Sequence, residues 1–183
     1  MDYMGQKGGI KRMIYLKHLV FILLVMVVLT GCSLINKDED EKEEYQSPME
    51  YSTEQSEYIM ECIVNKDKEG LKSVFSKQVS KTHDLDKEID EFFQFIDGEI
   101  VSYDEPEGSM GGGRKKDGEY VERTTGGQIE NIKTDEGKTY EISFFTYWVC
   151  RDSEDREGVD SILIIEVPAG GEIVNSKYRI GND

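Results

Sequence analysis

The sequence predicts an α+β fold, in which three N-terminal helices pack on a strongly bent antiparallel sheet of about five strands. Two observations support this prediction. Apolar residues recur at helical spacing as far as Ile96, whereas from Gly98 onward they tend to alternate with polar residues, as in strands. The strand segments are joined mostly by short turns, which favours antiparallel pairing with the helices on one face of the sheet.

Each helix is predicted from a capping residue and an apolar face. The first helix covers about residues 53–65 and follows a capping-box pattern at residues 52–55. A second, shorter helix is expected at residues 68–75. The third helix begins after a cap at Asp84 and ends before Gly98, and one of its faces is apolar, with Leu85, Ile89, Phe92, Phe93 and Ile96.

The strands are predicted from alternation and from β-branched and aromatic content. They cover residues 99–104, 128–134, 139–150, 161–167 and 173–180, with a weaker segment at 119–124. The longest is 139–150 (TYEISFFTYWVC), and a hairpin turn with Gly137 precedes it. The glycine-rich, polar stretch 105–118 is predicted to be a loop.

The N-terminal residues have the pattern of an export signal. Basic residues precede the uncharged run 19–29, and the small residues Thr30 and Gly31 stand before Cys32. Leu29-Thr30-Gly31-Cys32 resembles the lipobox of bacterial lipoproteins. The resemblance implies cleavage before Cys32, a lipid on its thiol, and an extracellular domain anchored at the outer face of the cytoplasmic membrane. The alternative is an uncleaved transmembrane anchor, although the uncharged run is shorter than the about 20 apolar residues that a spanning helix needs.

This pattern divides the chain into three parts. Residues 1–31 are the predicted signal peptide, 32–51 an acidic flexible tether, and 52–183 a single α+β domain. Without the signal peptide the chain has 18 Lys and Arg against 37 Asp and Glu, a net charge of −19. Such a charge repels nucleic acid and anionic lipid headgroups, so no nucleic-acid partner is expected.

The order of a helix, a short helix, a core helix and then strands resembles the cone-shaped fold of nuclear transport factor 2-like and cystatin-like domains. In addition, segment 133–140 (KTDEGKTY), followed by the aromatic strand, is similar to an uncharacterised domain family of lipoproteins from Gram-positive bacteria. The resemblance covers about residues 52–180. It implies a fold and transfers no catalytic residues.

Residues that could perform catalysis or bind metal are scarce. His83 is the one histidine beyond the signal peptide, which weighs against histidine-dependent nucleophiles and zinc sites. We therefore predict no catalytic residues, no metal and no cofactor. Two weaker alternatives remain open: a Ca²⁺ site among the acidic residues 152–160, which depart from the calcium-loop pattern, and an anion or partner contact at the basic residues 114–116.

Two cysteines remain beside Cys32. Cys62 lies on the apolar face of the first predicted helix, and Cys150 lies near the end of the long strand. Export would permit a disulfide between them. We favour two unpaired thiols, because two cysteines in a domain of this size do not make a disulfide framework.

The aromatic strand offers the clearest candidate site. Phe144 and Trp148 share one face of the pleat, whereas Phe145 and Tyr147 share the other. Both faces are apolar, so one meets the helices and the other indicates a pocket or a dimer interface. The alternative is an ordinary core covered by loops or by strand curvature.

The possible pocket or interface residues are Tyr103, Phe145, Tyr147 and Trp148. The leading expectation is a non-catalytic, surface-tethered domain that binds a small apolar ligand, a peptide or a protein partner. Two alternatives remain: an enzyme with a carboxylate and a tyrosine in the same pocket, and a homodimeric interaction module.

Overall fold

The computed structural model describes residues 46–168 and 176–182. Within them the chain forms four α-helices and one open antiparallel sheet of seven strands. The helices are α1 (Pro48–Val64), α2 (Lys68–Ser73), α3 (Lys77–Thr82) and α4 (Leu85–Phe95). The strands are β1 (Ile100–Ser102), β2 (Glu107–Gly108), β3 (Gly112–Lys116), β4 (Glu119–Thr134), β5 (Thr139–Cys150), β6 (Gly158–Glu166) and β7 (Lys177–Gly181), with a 3-10 turn at Glu154–Arg156. The predicted α+β class is confirmed, with more helices and strands than expected.

Helix α1 begins earlier than the sequence pattern predicts. Ser47 is its cap: the Glu50 amide donates to Ser47 Oγ, the Ser47 amide donates to the Glu50 side chain, and Pro48 occupies the first turn. The predicted start at residue 53 is therefore wrong, and residues 48–51 of the predicted tether are helical. The predicted signal peptide, Cys32 and residues 32–45 of the predicted tether lie outside the described residues.

The other helices follow their caps. Asp84 Oδ1 accepts from the Lys87 amide, as predicted for α4. Helix α2 ends at Ser73, which is earlier than expected. Helix α3 was not predicted, because it is short and polar and buries one residue, Val79.

One edge of β4 carries three strands in succession. The sheet order is β1-β4-β5-β6-β7, and β2 and β3 also pair with β4. Since β5 occupies one edge of β4, strands β1, β2 and β3 share the other edge, end to end. The predicted loop at 105–118 is therefore wrong. Asp117 and Gly118, with φ of 53° and 89°, turn β3 back into β4.

Among the described residues, five one-residue bulges interrupt the strand pairing. They lie at Val101 in β1, at Val121 and near Asn131 in β4, at Trp148 in β5 and at Asp160 in β6. Asn131 has a φ of 53°, which matches the extra residue there. A bulge bends its strand and increases the local twist, so the sheet cannot be flat.

Helix α1 packs unusually close to the sheet. Ser52 and Ser56, both fully buried, face glycines of β2 and β4. A Cβ at Gly108 would overlap Ser52 Oγ, and a Cβ at Gly127 would overlap Ser56 Oγ and lie 2.5 Å from Phe144 Cε1. Small residues on both sides therefore set the distance between this helix and the sheet.

The hydrophobic core lies between the helices and one face of the sheet. Its fully buried side chains include Ile59, Leu71, Ile89, Phe92, Ile129, Ile142, Ile162 and Ile164. Cys62 and Cys150 are both buried and free, which confirms the prediction of unpaired thiols. Burial raises the pKa of the Cys62 thiol. Among the described helices, none is long and apolar enough to cross a membrane.

Candidate functional site

An open groove with a cavity volume of about 500 Å³ runs along the β4–β5 pair. Its lining comes from the β2–β3 segment (Glu107, Gly108, Ser109, Met110, Gly112), from β4 (Thr124, Thr125, Gly126, Gly127, Gln128) and from β5 (Phe144, Phe145). The groove therefore combines two aromatic rings and a methionine with glycine backbone.

The floor of the groove includes two consecutive glycines of β4, both of which are buried. Gly126 is paired with Phe145, and Gly127 with Phe144. Phe144 turns toward the core and is 6% exposed, whereas Phe145 is 40% exposed. Phe145 therefore supplies the exposed aromatic ring of the groove.

The β2–β3 segment forms the opposite wall and is held by hydrogen bonds. The Ser109 amide donates to the Gly126 carbonyl (2.9 Å), and the Gly126 amide donates to Ser109 Oγ (3.2 Å). Thr125 Oγ1 donates to the Ser109 carbonyl (2.9 Å). Met110, which is 79% exposed, is consequently presented to solvent from a fixed backbone.

Tyr147 supports Phe145 from outside the groove. The two rings meet edge to face, with centroids 5.2 Å apart. The Arg156 guanidinium carbon lies 3.9 Å from the centroid of the Tyr147 ring. The predicted pair Phe145 and Tyr147 is thus adjacent, but only Phe145 lines the groove.

Trp148 belongs to a different cluster, a stack of rings and cations on the helix side of the sheet. It stacks on Tyr51 of α1, with centroids 4.8 Å apart and planes inclined by 11°. The Arg123 guanidinium lies 3.9 Å from the Trp148 ring and 4.8 Å from Tyr120. Burial raises the pKa of Tyr51. Trp148 therefore joins α1 to the β3–β4 hairpin.

Tyr103, the remaining predicted site residue, lies between β1 and β2 and is 44% exposed. It is not among the residues that line the groove. Sequence reasoning missed Met110, Gly126 and Gln128. The signal that could have found the groove is the Gly126-Gly127 pair, because glycines inside a strand often mark close approach of a ligand or another backbone.

One carboxylate among the described residues lines the groove. It belongs to Glu107, which is exposed. No tyrosine lines the groove beside it, so the carboxylate and tyrosine of the enzyme alternative are not brought together there. In the part of the chain that the structure describes, no His, Cys, Asp and Glu cluster could hold a metal ion.

Two of the acidic residues in 152–160, which the sequence left open as a Ca²⁺ site, pair with cations. Asp152 pairs with Arg114 at 2.7 Å, and Asp155 pairs with Lys81 at 2.6 Å. These hydrogen bonds lower the pKa of both carboxyl groups.

His83 lies in a polar network at the C-terminal end of the described chain. Its Nδ1 is 2.9 Å from Glu88 Oε1, and its Nε2 is 3.1 Å from Asn182 Oδ1. Asn182 Nδ2 donates to Asp160 Oδ1 (2.9 Å). The hydrogen bond to Glu88 raises the pKa of His83.

A match to a protein family covers the part of the chain that forms the groove. A family model described as "Domain of unknown function (DUF5104)" matches residues 57–167, which is more than half of the chain. The matched range contains every residue that lines the groove. No curated protein matches the chain.

Proposed function

The chain belongs to the DUF5104 family, and on that premise we propose that it is a lipoprotein whose folded domain binds a ligand or partner at the outer face of the cytoplasmic membrane. The observation that carries the proposal is the groove beside Phe145. Its cavity of about 500 Å³ falls within the range of ligand sites, about 300–1,000 Å³.

The chemistry of the groove indicates what it would accept. Met110 and Phe145 offer apolar contact at its two walls. Thr124 and Gln128 add polar groups that could orient a ligand. A small apolar ligand with a polar end, or an apolar side chain of a bound peptide, matches this combination.

The anchoring half of the proposal rests on the sequence. Leu29-Thr30-Gly31-Cys32 follows an apolar run and precedes an acidic stretch. A diacylglyceryl group on Cys32 would bury two acyl chains, which is sufficient for stable attachment. The net charge of −19 that remains without residues 1–31 would keep the domain away from anionic headgroups.

The finer assignment of the fold is also a proposal. Four helices that precede one antiparallel sheet, and several bulges that bend its strands, are compatible with the cone-shaped nuclear transport factor 2-like fold.

Replacement of Cys32 tests the anchor. The Cys32→Ala chain, expressed in a Gram-positive host, should shift from the washed membrane fraction to the medium or remain as an uncleaved precursor of higher mass, because no thiol accepts the lipid. Cys62→Ala is the matched control and should stay lipid-anchored. A Cys32→Ala chain that is found at the membrane at its normal mass would contradict lipidation.

Native mass spectrometry tests the groove. The full-length protein should be released from its membrane in mild detergent and measured before and after denaturation. We expect an added mass that disappears on denaturation and is lost in Met110→Ser/Phe145→Ser. The matched control is Val101→Ser, because Val101 is exposed and apolar but does not line the groove. A bare wild-type chain would contradict a retained small ligand.

A further inference from the structure

We propose that β3 is the docking edge for an acidic, extended peptide of a partner protein, which joins the sheet as an additional strand and places one apolar side chain in the groove. This inference rests on the proposed binding function and names the class of partner. It combines three features of the described residues: a free strand edge, a basic cluster in which two lysines form no salt bridge with another described residue, and a groove that begins where the strand begins.

The first feature is the edge itself. Strand β3 (Gly112–Lys116) pairs with β4 on one side, and no strand within 46–168 or 176–182 pairs with its other side. All five of its residues are exposed. An open edge presents unpaired amide and carbonyl groups, which bind an extended peptide through main-chain hydrogen bonds.

The second feature is charge. Arg114, Lys115 and Lys116 are consecutive on a chain with a net charge of −16. Arg114 pairs with Asp152, and Lys115 lies 4.3 Å from the centroid of the Tyr120 ring. Neither Lys115 nor Lys116 forms a salt bridge with another described residue. The edge therefore attracts carboxylates.

The same charge argues against a second copy of the chain as the occupant. Pairing of two β3 edges would place the three cations of one copy beside the three of the other, and like charges across a strand pair are destabilising. An acidic peptide has no such penalty. Its carboxylates would also speed the encounter with the basic edge.

The third feature is continuity between the edge and the groove. Gly112 is the first residue of β3 and also lines the groove. A peptide that follows β3 past Gly112 therefore arrives at the groove, whose lining includes Met110 and Phe145. Because Gly112 and Gly113 carry no side chains, a partner backbone can approach closely at this point.

A direct binding experiment tests the inference. The full-length lipidated protein is placed in nanodiscs of zwitterionic phosphatidylcholine. The probe is a labelled peptide of about nine residues, long enough at about 3.3 Å per residue to cover β3 and enter the groove. It alternates Glu with Val or Thr and carries Leu at one end. Fluorescence polarisation measures its Kd against a counterpart in which every Glu is Lys.

We expect the acidic peptide to bind at least about tenfold more tightly than the basic one, with an affinity that falls as salt is added. The variant Lys115→Glu/Lys116→Glu should lose about tenfold in affinity. The matched control is Lys133→Glu/Lys177→Glu, which changes the net charge equally at exposed lysines of other strands. The control should keep wild-type affinity.

Changes in the peptide test strand addition without altering the protein. Two versions of the peptide are N-methylated, each at one of the two sets of alternate residues. Methylation should abolish binding when the methylated amides are those that face β3, and it should leave binding unchanged when they are those that face away. Equal effects of both methylations, or equal affinity for acidic and basic peptides, would overturn the inference. Competition by polyphosphate together with insensitivity to N-methylation would overturn it as well, in favour of a general anion site.

The failure of this inference can be separated from failure of the proposed function. If Lys115→Glu/Lys116→Glu has no effect while Met110→Ser/Phe145→Ser abolishes binding, the groove function stands and the edge inference falls. A dimer in sedimentation that Met110→Ser/Phe145→Ser dissociates would assign the groove to a second copy and overturn the inference.

Discussion

At the scale of single residues, Ser56 of α1 and Gly127 of β4 pack so closely that a Cβ added at Gly127 would overlap Ser56 Oγ. Ser56 Oγ donates to the Ser52 carbonyl at 2.7 Å, so its position is fixed by the helix. Phe144 closes the same space from β5. A side chain at position 127 therefore has no free volume.

The variant Gly127→Ala should lower the free energy of unfolding by about 1–3 kcal/mol, because overpacking a buried contact forces neighbouring groups to move. Chemical denaturation at constant pH measures the change. Gly112→Ala is the control, since the one neighbour within 4 Å of its added Cβ is Thr124 Oγ1 at 3.3 Å. Equal stability of the two variants would contradict the packing argument.

The residue contacts of the site were predictable only in part. Strict alternation along β5 placed Phe145 and Tyr147 on one face and Trp148 on the other, and the structure agrees with this division. The partners of Trp148 could not be predicted. Arg123 and Tyr51 meet it only because β4 and α1 are brought there by pairing over long sequence distances.

At the scale of elements, the position of the proposed docking edge depends on the turn of the β3–β4 hairpin. Its turn requires a positive φ at two successive residues, Asp117 and Gly118. Gly118 has a φ of 89° and no atom within 4 Å of an added Cβ, so a substitution there acts through backbone conformation alone.

We expect Gly118→Val to open the hairpin locally, since a β-branched residue at positive φ costs on the order of 1–3 kcal/mol. Hydrogen exchange should become faster for the amides of β3 and stay unchanged for those of β6. Asp117→Asn is the matched control, because asparagine tolerates positive φ. Unchanged exchange in β3 would mean that β4 holds this strand without the turn.

The elements that the sequence predicted well are those that bury one face. Helix α4 has a cap and an apolar stripe, and β5 has the residue types of a strand, so both were predicted closely. Strand β3 is exposed along its whole length and carries no hydrophobic pattern. Its one local signal is the Asp117-Gly118 turn. The start of α1 was predicted wrongly because two capping patterns, at Ser47 and at residues 52–55, lie close together in the sequence. Pro48 favours the first of them, because proline is common in the first turn of a helix.

At the scale of the whole molecule, the His83 network ties the start of α4 to the end of β7. His83 precedes α4, Glu88 lies within α4, and Asn182 follows β7. Glu88 Oε2 also accepts from the Gly181 amide at 3.0 Å. Protonation of the His83 imidazole therefore affects how firmly the end of β7 is held against α4.

Stability should fall as the pH rises from about 6 to about 8. The hydrogen bond with Glu88 raises the pKa of His83 in the folded state above its unfolded value of about 6.5. The charged form thus stabilises the fold fully below about 6.5, and this contribution is lost as the pH rises through the folded-state pKa. The free energy of unfolding, measured by urea denaturation across this range, should show the decline.

The variant His83→Gln provides the control, because its amide does not ionise. We expect its stability to be lower than wild type at pH about 6 and its dependence on pH to be flatter in this window. The same slope in both proteins would assign the effect to other groups. Asp160 and Glu88 are the nearby carboxylates.

The contact between Ser56 and Gly127 has a consequence for the evolution of the family. A gain of volume at one of these positions requires a loss at the other, because helix and strand share one small space. Across homologous chains, the two positions should therefore covary, with glycine or alanine at position 56 wherever a larger residue stands at position 127. Val101, which is exposed, should vary independently of both.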